Sequence, residues 1–305
     1  MNLDAVRLFL EVAEAGSLTK VANRRQTVQS HVSRQISDFE AGMGTALFRR
    51  TGRGVVLTAV GERVASRLRL WLLDTERMTE ELRAESGSVK GEVRLGIIPS
   101  AVHPLMTRLC QSLKAEHPGI RLSISEAQGA ELDNMLDGGL VDLAILFRYH
   151  PPRGDDEKPL AIAHTYLIGH PGDELTSSPT VPFSRLESLP LVLPRRPSHW
   201  RNALDETARS LGFRLQAVVE ADSLTLQKQL VAQTPGTYSL LGPYAIMTEL
   251  EEGKLSCSKV VRPDLTRHVT LALPKQGKLS PATRIVAQAI TCLLYTSDAA
   301  DEEDS

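Results

Sequence analysis

Gln29, Ser30, His31, Ser33 and Arg34 fall in one short run, on the outward side of a segment whose apolar residues are Val32, Ile36 and Phe39. These side chains can read a duplex. Gln pairs bidentately with adenine and Arg with guanine, and Ser or His reaches bases or phosphates. Arg49, Arg50 and Arg53 follow at or near a Thr51-Gly52-Arg53-Gly54 turn. Arginines so placed suit phosphates or a narrow minor groove. A plain solvated helix face is the competing explanation for the first group. Arg148, Arg195 and Arg196 form a third set, able to hold a small carboxylate if they do not simply stand in water.

Catalytic chemistry has little to build on. The chain contains no GxSxG, P-loop, GxGxxG, CxxC or HxxxH pattern. His103, His117, His164, His170, His199 and His268 are scattered singly, and Asp155-Asp156-Glu157 reads as a solvated turn. Cys110, Cys257 and Cys292 have no short spacing, which argues against a metal cluster or a disulfide framework. Neither Cys110 nor Cys257 has a neighbouring partner or activating base, so a redox switch is disfavoured. We therefore expect no catalytic residues, no cofactor and no metal.

The elements that must position these groups follow from periodicity. Leu3 to Ala15 repeats apolar residues at helical spacing, and Gly16-Ser17 ends that helix and caps a second over Thr19–Arg25. Gln26–Val28 connects tightly to a third helix, Gln29–Gly42. Two short helices joined this way form a helix-turn-helix, whose second helix enters the major groove by its amino-terminal half. LFRRTGRGVVLTAVGE alternates, turns and alternates again, as a β-hairpin wing does. Val60–Ala84 then carries a seam at Val64, Leu68, Trp71, Thr75, Met78 and Leu82, with charges on its other faces. Such a seam asks for a partner helix, in a second copy or in the same chain. From Gly91 strands and helices alternate, which predicts an α/β domain with a mostly parallel sheet. Pro99-Ser100 is expected to open a helix there, with Ser100 offering a cap and an anion site.

The chain has 305 residues, 42% hydrophobic and 24% charged, enough for about two domains. No apolar run approaches ~18 residues, so no membrane span is expected. Asp4, Glu11 and Glu14 in the opening stretch are unlike a secretory signal. These features place the chain in a reducing cytoplasm. Its net charge is −2, yet residues 1–58 carry eight basic side chains against five acidic ones. A modestly basic amino-terminal unit suits a polyanion partner.

SLTKVANRRQTVQSHVSRQISDFEAGMGTALFRRTGRGVVLTAVGE resembles the winged helix of LysR-type transcriptional regulators. The matching positions include Ser17, Ala22, Gln29, Val32 to Ile36, Glu40, Leu47-Phe48, Arg50, Gly54, Leu57-Thr58 and Gly61. The chain departs from the pattern at Arg25, usually Leu, and at Thr27-Val28, usually Val-Ser. Val28 cannot cap the third helix, which leaves Thr27 to do so one residue earlier. GEVRLGIIPSAVHPLM, HPGIRLSISEAQGAELDNMLDGGLVDLAIL and EADSLTLQKQLVAQTPGTYSLL resemble the effector domain of the same family.

The resemblance implies an α/β fold overall. A winged helix-turn-helix (1–59) leads through a linker and dimerisation helix (60–86) to an effector domain (90–291). That domain is similar to type 2 periplasmic binding proteins, with lobe I at about 91–162 and 268–291 and lobe II at about 163–267. It further implies double-stranded promoter DNA as partner, contacted also by Thr58. A dimer or tetramer would form through the seam. RNA polymerase is a further implied partner, and a small, anionic effector would lie between the lobes. The cleft would be lined by Ser100, Ala101, Val102, Gln128, Gly129, Phe147, Arg148, Arg195, Asp222 and Ser223, with Thr234-Pro235-Gly236 reshaping one wall. Within the family the chain is most similar to the nitrogen-assimilation-control subgroup. That leaves open a regulator governed by its own concentration with no effector. A solute-binding or enzymatic module carrying a helix-turn-helix and a non-specific architectural DNA binder are the rival readings.

Ser280–Thr291 reads as a last helix, with a Ser cap and a Pro in its first turn. Read back into codons, Cys292–Glu302 resembles a transposon adaptor used in sequencing libraries. This predicts that genuine sequence ends near Thr291 and that residues 292–305 carry no function; the alternative is a disordered acidic tail.

Overall fold

The structure, a computed structural model, describes residues 2–52, 54–84, 89–152, 154–275 and 278–302. Three helices come first, α1 (Leu3–Ala15), α2 (Leu18–Arg24) and α3 (Gln29–Met43). Ser17 caps α2 by accepting from the Lys20 N–H. Val6, Phe9 and Val12, then Val21 and Ala22, then Val32, Ile36 and Phe39 share one core. The Phe9 and Phe39 rings stack in it at 5.2 Å. The wing follows as β1 (Phe48–Thr51) antiparallel to β2 (Gly54–Leu57). Gly54 is required where it stands: a Cβ would lie 2.2 Å from the Gly16 carbonyl oxygen, which accepts the Val55 N–H at 3.0 Å. The hairpin is thereby pressed onto the α1–α2 turn.

The linker is one unbroken 26-residue helix, α4 (Ala59–Ala84). Its apolar seam is divided, which corrects the expectation of one continuous pairing surface. Leu68 is buried in the winged-helix core and Val64 packs against it, so both are covered by their own chain. Trp71, Met78 and Leu82 stand 40%, 59% and 65% exposed. Half-buried Thr75 donates its hydroxyl to the Trp71 carbonyl. Short helices cannot close a core alone, and the start of the linker supplies the missing wall.

Strands and helices then alternate. The first half comprises β3 (Gly91–Ile97), α5 (Leu105–Glu116), β4 (Ile120–Glu126), α6 (Gly129–Asp137), β5 (Leu143–Arg148), β6 (Glu157–Ala163), β7 (Tyr166–Gly169) and β8 (Thr180–Pro182). The second comprises β9 (Pro190–Leu193), α7 (His199–Ser210), β10 (Gln216–Glu220), α8 (Leu224–Gln233), β11 (Tyr238–Leu241), α9 (Pro243–Glu251), β12 (Ser256–Val261), β13 (Arg267–Ala272) and α10 (Pro281–Glu302). They form two sheets, β4-β3-β5-β13-β6 in lobe I and β10-β9-β11-β7-β12-β8 in lobe II. Both are mostly parallel, as element order predicts, with one reversed strand in each. β13 runs antiparallel to both β5 and β6, and β7 is antiparallel to both β11 and β12. The cause is the double crossing between lobes. The strand that enters each lobe from the other, β7 in lobe II and β13 in lobe I, is the one that runs against its neighbours. The two crossings are tied side by side: the Thr165 hydroxyl donates to the Leu265 carbonyl at 2.7 Å, and His164 Nδ1 lies 3.2 Å from Asp264 Oδ1.

Two local expectations change. Pro99–Ala101 forms a single 3₁₀ turn, and α5 begins only after Pro104. Ser100 therefore does not sit at an α-helix amino terminus, and the dipole argument for an anion there falls away. The last helix is capped by Ser280, which accepts from the Thr283 N–H at 3.1 Å, but it runs to Glu302 rather than Thr291. Leu294 is buried in lobe I with Val286, Ala287 and Ile290.

Candidate nucleic-acid interface and ligand cleft

At the amino-terminal end, α3 turns Val32, Ile36 and Phe39 inward and leaves Gln29, Ser30, His31, Arg34 and Gln35 exposed and Ser33 half-exposed. The residue types suited to base edges thus share the free face. The helix begins at Val28 with no side-chain cap, and Thr27 does not replace it. Its hydroxyl lies 3.3 Å from His31 Nδ1 instead, holding that ring close to the turn. Arg25 is explained by Glu11 of α1. The guanidinium Nε and Nη2 each donate to that carboxylate at 2.7 Å, and this bond holds the Glu11 carboxyl below its ordinary value.

Glu40 sets the wing relative to α3. Its Oε1 accepts the Leu47 N–H at 2.7 Å and the Phe48 N–H at 2.8 Å. Arg49 and Arg50 are exposed on the hairpin. Arg53 lies outside the described residues. Thr58, expected on the DNA, is the cap of α4. Its hydroxyl accepts the Gly61 N–H at 3.0 Å and donates to the Ala46 carbonyl at 3.1 Å.

Between the lobes lies a cleft of about 360 Å³. Of the residues expected there, Ser100, Gln128, Gly129, Phe147 and Asp222 line it. The others do not. Ala101 is buried in the lobe I core and Val102 packs against that core. Arg148 follows Phe147 in β5 and so points to the opposite side of the sheet. There it is bound by Asp133 (2.8 and 3.0 Å) and Glu157 (2.6 Å), which raise the guanidinium above its ordinary value. Arg195 stands mostly in water and pairs with Asp222 at 3.2 Å. Arg196 pairs with Asp205. Ser223 accepts from the Leu226 N–H and caps α8. Thr234 ends the same helix, outside the cleft.

The sequence reading missed the central group. Arg267 lines the cleft and is only 4% exposed. Its guanidinium carbon lies 4.2 Å from the centre of the Phe147 ring and 4.2 Å from that of Trp200. Its Nε and Nη2 are buried without a hydrogen-bond partner. Burial pushes the group down to about 10, with Tyr149 acting weakly the other way. Tyr149 lines the same cleft, stacks on Trp200 at 6.2 Å and is itself pushed up to about 12 by burial. The signal was available. In Arg-His-Val-Thr-Leu-Ala the alternation sets position 267 on one face with Val269 and Leu271, a charge where an apolar residue belongs. Elsewhere, burial pushes the Cys257 thiol up, which disfavours the thiolate a redox switch would need. Among the described residues no helix is long and apolar enough to cross a membrane.

Comparison with known proteins agrees along most of the chain. Residues 3–62 match the family "Bacterial regulatory helix-turn-helix protein, lysR family", and residues 86–293 match "LysR substrate binding domain". The HTH-type transcriptional regulator BbuR of Bordetella bronchiseptica is 30% identical over 275 residues, covering 90% of this chain and 83% of that protein. The nitrogen assimilation regulatory protein nac of Klebsiella aerogenes is 25% identical over 298 residues, covering 96% and 95%. Among solved structures, a full-length OxyR variant from Pseudomonas aeruginosa superposes with a TM-score of 0.76 at 22% identity, covering 95% of this chain and 94% of that one. Full-length CbnR in complex with its target DNA superposes at 0.66 with 20% identity, covering 95% and 99%.

Proposed function

This chain belongs to the LysR-type family of transcriptional regulators, and from that premise we propose that it is a cytoplasmic, sequence-specific promoter binder whose activity is set by a small molecule in the interlobe cleft. The observation that carries the reading is the free polar face of α3, fixed to the wing through Glu40. Gln29, Ser30, Ser33 and Arg34 supply sequence choice, while Arg49 and Arg50 hold phosphates. Trp71, Met78 and Leu82 pair the linker helix with that of a second copy. Two winged helices then meet half-sites on successive turns of the groove, about 34–36 Å apart. RNA polymerase is the further partner at such a promoter. Phosphate contacts make affinity fall steeply with salt.

Footprinting the full-length chain on its own upstream region tests this. A protected half-site repeat is expected; protection of all sequences alike would overturn it in favour of an architectural binder. Arg34→Ala should weaken operator binding by about 1–3 kcal/mol and barely affect random DNA. Equal loss on both would remove Arg34 from base reading.

A further inference from the structure

Two arginines of the effector domain are equally buried, each 4% exposed. Arg201 is fully engaged, donating to Asp205 (3.0 and 3.2 Å), Glu220 (2.8 Å) and the Pro194 carbonyl (3.2 Å). Arg267 has no carboxylate. Among the described residues, three buried side-chain nitrogen and oxygen atoms lack a partner, and two of them belong to Arg267. The third, Glu249 Oε2, sits on a carboxylate whose other oxygen meets Lys228 at 2.5 Å. A guanidinium withdrawn from water without a counter-charge is costly, and folds rarely retain one.

Resting on the reading of this cleft as the effector site, we propose that it takes a small organic monocarboxylate, whose charged group is received by Arg267 and whose apolar body lies among Phe147, Tyr149 and Trp200.

Three features define that chemistry. The first is the direction left free. Two rings lie against the Arg267 guanidinium, and its N–H groups donate in the guanidinium plane. The unmet Nε and Nη2 form the edge that holds Glu11 on Arg25 and Asp142 on Arg94 (3.2 and 2.9 Å). At Arg25 and Arg94 that edge takes a single carboxylate, whereas at Arg148 it is shared by two. The second is charge. The other arginine at the rim, Arg195, is matched by Asp222, so one cation is uncompensated and one negative charge balances it. The third is size and lining. About 360 Å³, walled in part by Ile98, Leu224 and Leu241, exceeds what an inorganic ion fills and suits an apolar body. The site also spans the hinge. Phe147 belongs to lobe I, Trp200 to lobe II, and Arg267 opens the strand that returns between them. An acid on Arg267 therefore touches both lobes at once.

The test is thermal melting and calorimetric titration of the full-length chain with acetate, phenylacetate, neutral phenylacetamide and inorganic phosphate. Wild type is compared with Arg267→Met and Gly242→Ala. A Cβ on Gly242 would come within 2.7 Å of Arg267 Nη2, so the second variant keeps the charge but displaces it. Phenylacetate should raise the melting point saturably and acetate more weakly, with no effect of the amide or phosphate. Arg267→Met should bind phenylacetate at least tenfold more weakly, as should Gly242→Ala. Without ligand, Arg267→Met should melt above wild type, because a charge no longer sits unpaired; a lower melting point would mark a structural staple and overturn the proposal. Equal binding of acid and amide, or full binding by both variants, would also overturn it while leaving the cleft as an effector site. Binding of phosphate alone would overturn the organic acid. No binding by any probe, from a chain that still footprints its operator, would overturn the proposal and leave the DNA-binding reading intact.

Discussion

The outward face of α3 and the floor of the cleft both hold polar side chains that meet no partner among the described residues, and the two differ in what surrounds them. Gln29, Ser30 and Arg34 stand in water, which satisfies their donors and acceptors. Arg267 stands against two rings, with two of its nitrogens out of reach of solvent. Leaving the first set unpaired costs nothing, so the fold has no reason to constrain it. Leaving the second unpaired costs folding free energy that the rest of the lobes must offset. A recognition face can thus be exchanged without disturbing the core, whereas the cleft is bound to the stability of the domain around it.

The largest expected effect comes from giving Arg201 the same substitution as Arg267. Arg201→Met keeps volume but leaves Asp205, 14% exposed, with only the solvent-facing Arg196. Breaking a buried pair in this way costs about 3–5 kcal/mol. Urea denaturation of the two methionine variants should therefore move in opposite directions, down for Arg201→Met and up for Arg267→Met. A similar loss in both would mean that stacking on Phe147 and Trp200 compensates Arg267 as well as carboxylates compensate Arg201, and the contrast would be gone.

The two regions were also unequally legible. The winged helix showed itself through periodicity, because Val32, Ile36 and Phe39 must turn inward and the remaining positions of α3 cannot. Glu40 matched the family pattern, but its role needed coordinates, since nothing in the chain order says that its carboxylate meets the backbone of the wing. The cleft was half visible. Phe147 and Asp222 are marked by position in the family pattern, whereas Arg148 adjoins Phe147 in that pattern and strand alternation sends it to the opposite face. Arg267 opens β13 at the lobe boundary, so its buried face is marked only by Val269 and Leu271 further along the strand and not by its immediate neighbours. The linker seam misled for a different reason. A repeat of apolar residues states that a face is covered, not by what, and Val64 and Leu68 are covered by their own winged helix.

Glu40 gives the next effect in size, and it probes the exposed end of the comparison. The face of α3 costs nothing to leave unpaired only while the wing beside it is held. Glu40→Ala removes the acceptor for two backbone N–H groups. Hydrogen bonds to a charged group are worth about 1.5–3 kcal/mol, so a destabilisation of that order is expected. DNA affinity should fall on operator and random sequences alike, measured by titration at fixed salt, because the hairpin arginines lose their position and the reading face of α3 does not. Glu40→Gln keeps an oxygen acceptor and should recover most of both. Loss confined to the operator would tie Glu40 to base reading instead.

The smallest effect belongs to the pair that is exposed and partnered, Arg25 with Glu11. Their side chains are 31% and 42% exposed, so the bidentate geometry is discounted by solvent and the pair is worth about 0–1 kcal/mol. Its pH dependence has a definite sign. The Arg25 hydrogen bond lowers the folded-state pKa of Glu11 below 4.5. A depressed carboxyl stabilises the fold above its unfolded value, and that contribution fades as pH falls through the folded value. Arg25→Leu, which restores the residue usual in the family, should therefore cost its small amount near neutral pH and nothing in acid below the folded pKa. The raised Arg25 pKa adds no second window, since it would matter only at extreme alkalinity. Denaturation curves of wild type and variant at about pH 7 and at a series of falling acid pH values separate the two cases. A cost that persists in acid would show that the aliphatic stem of Arg25 matters more than its charge.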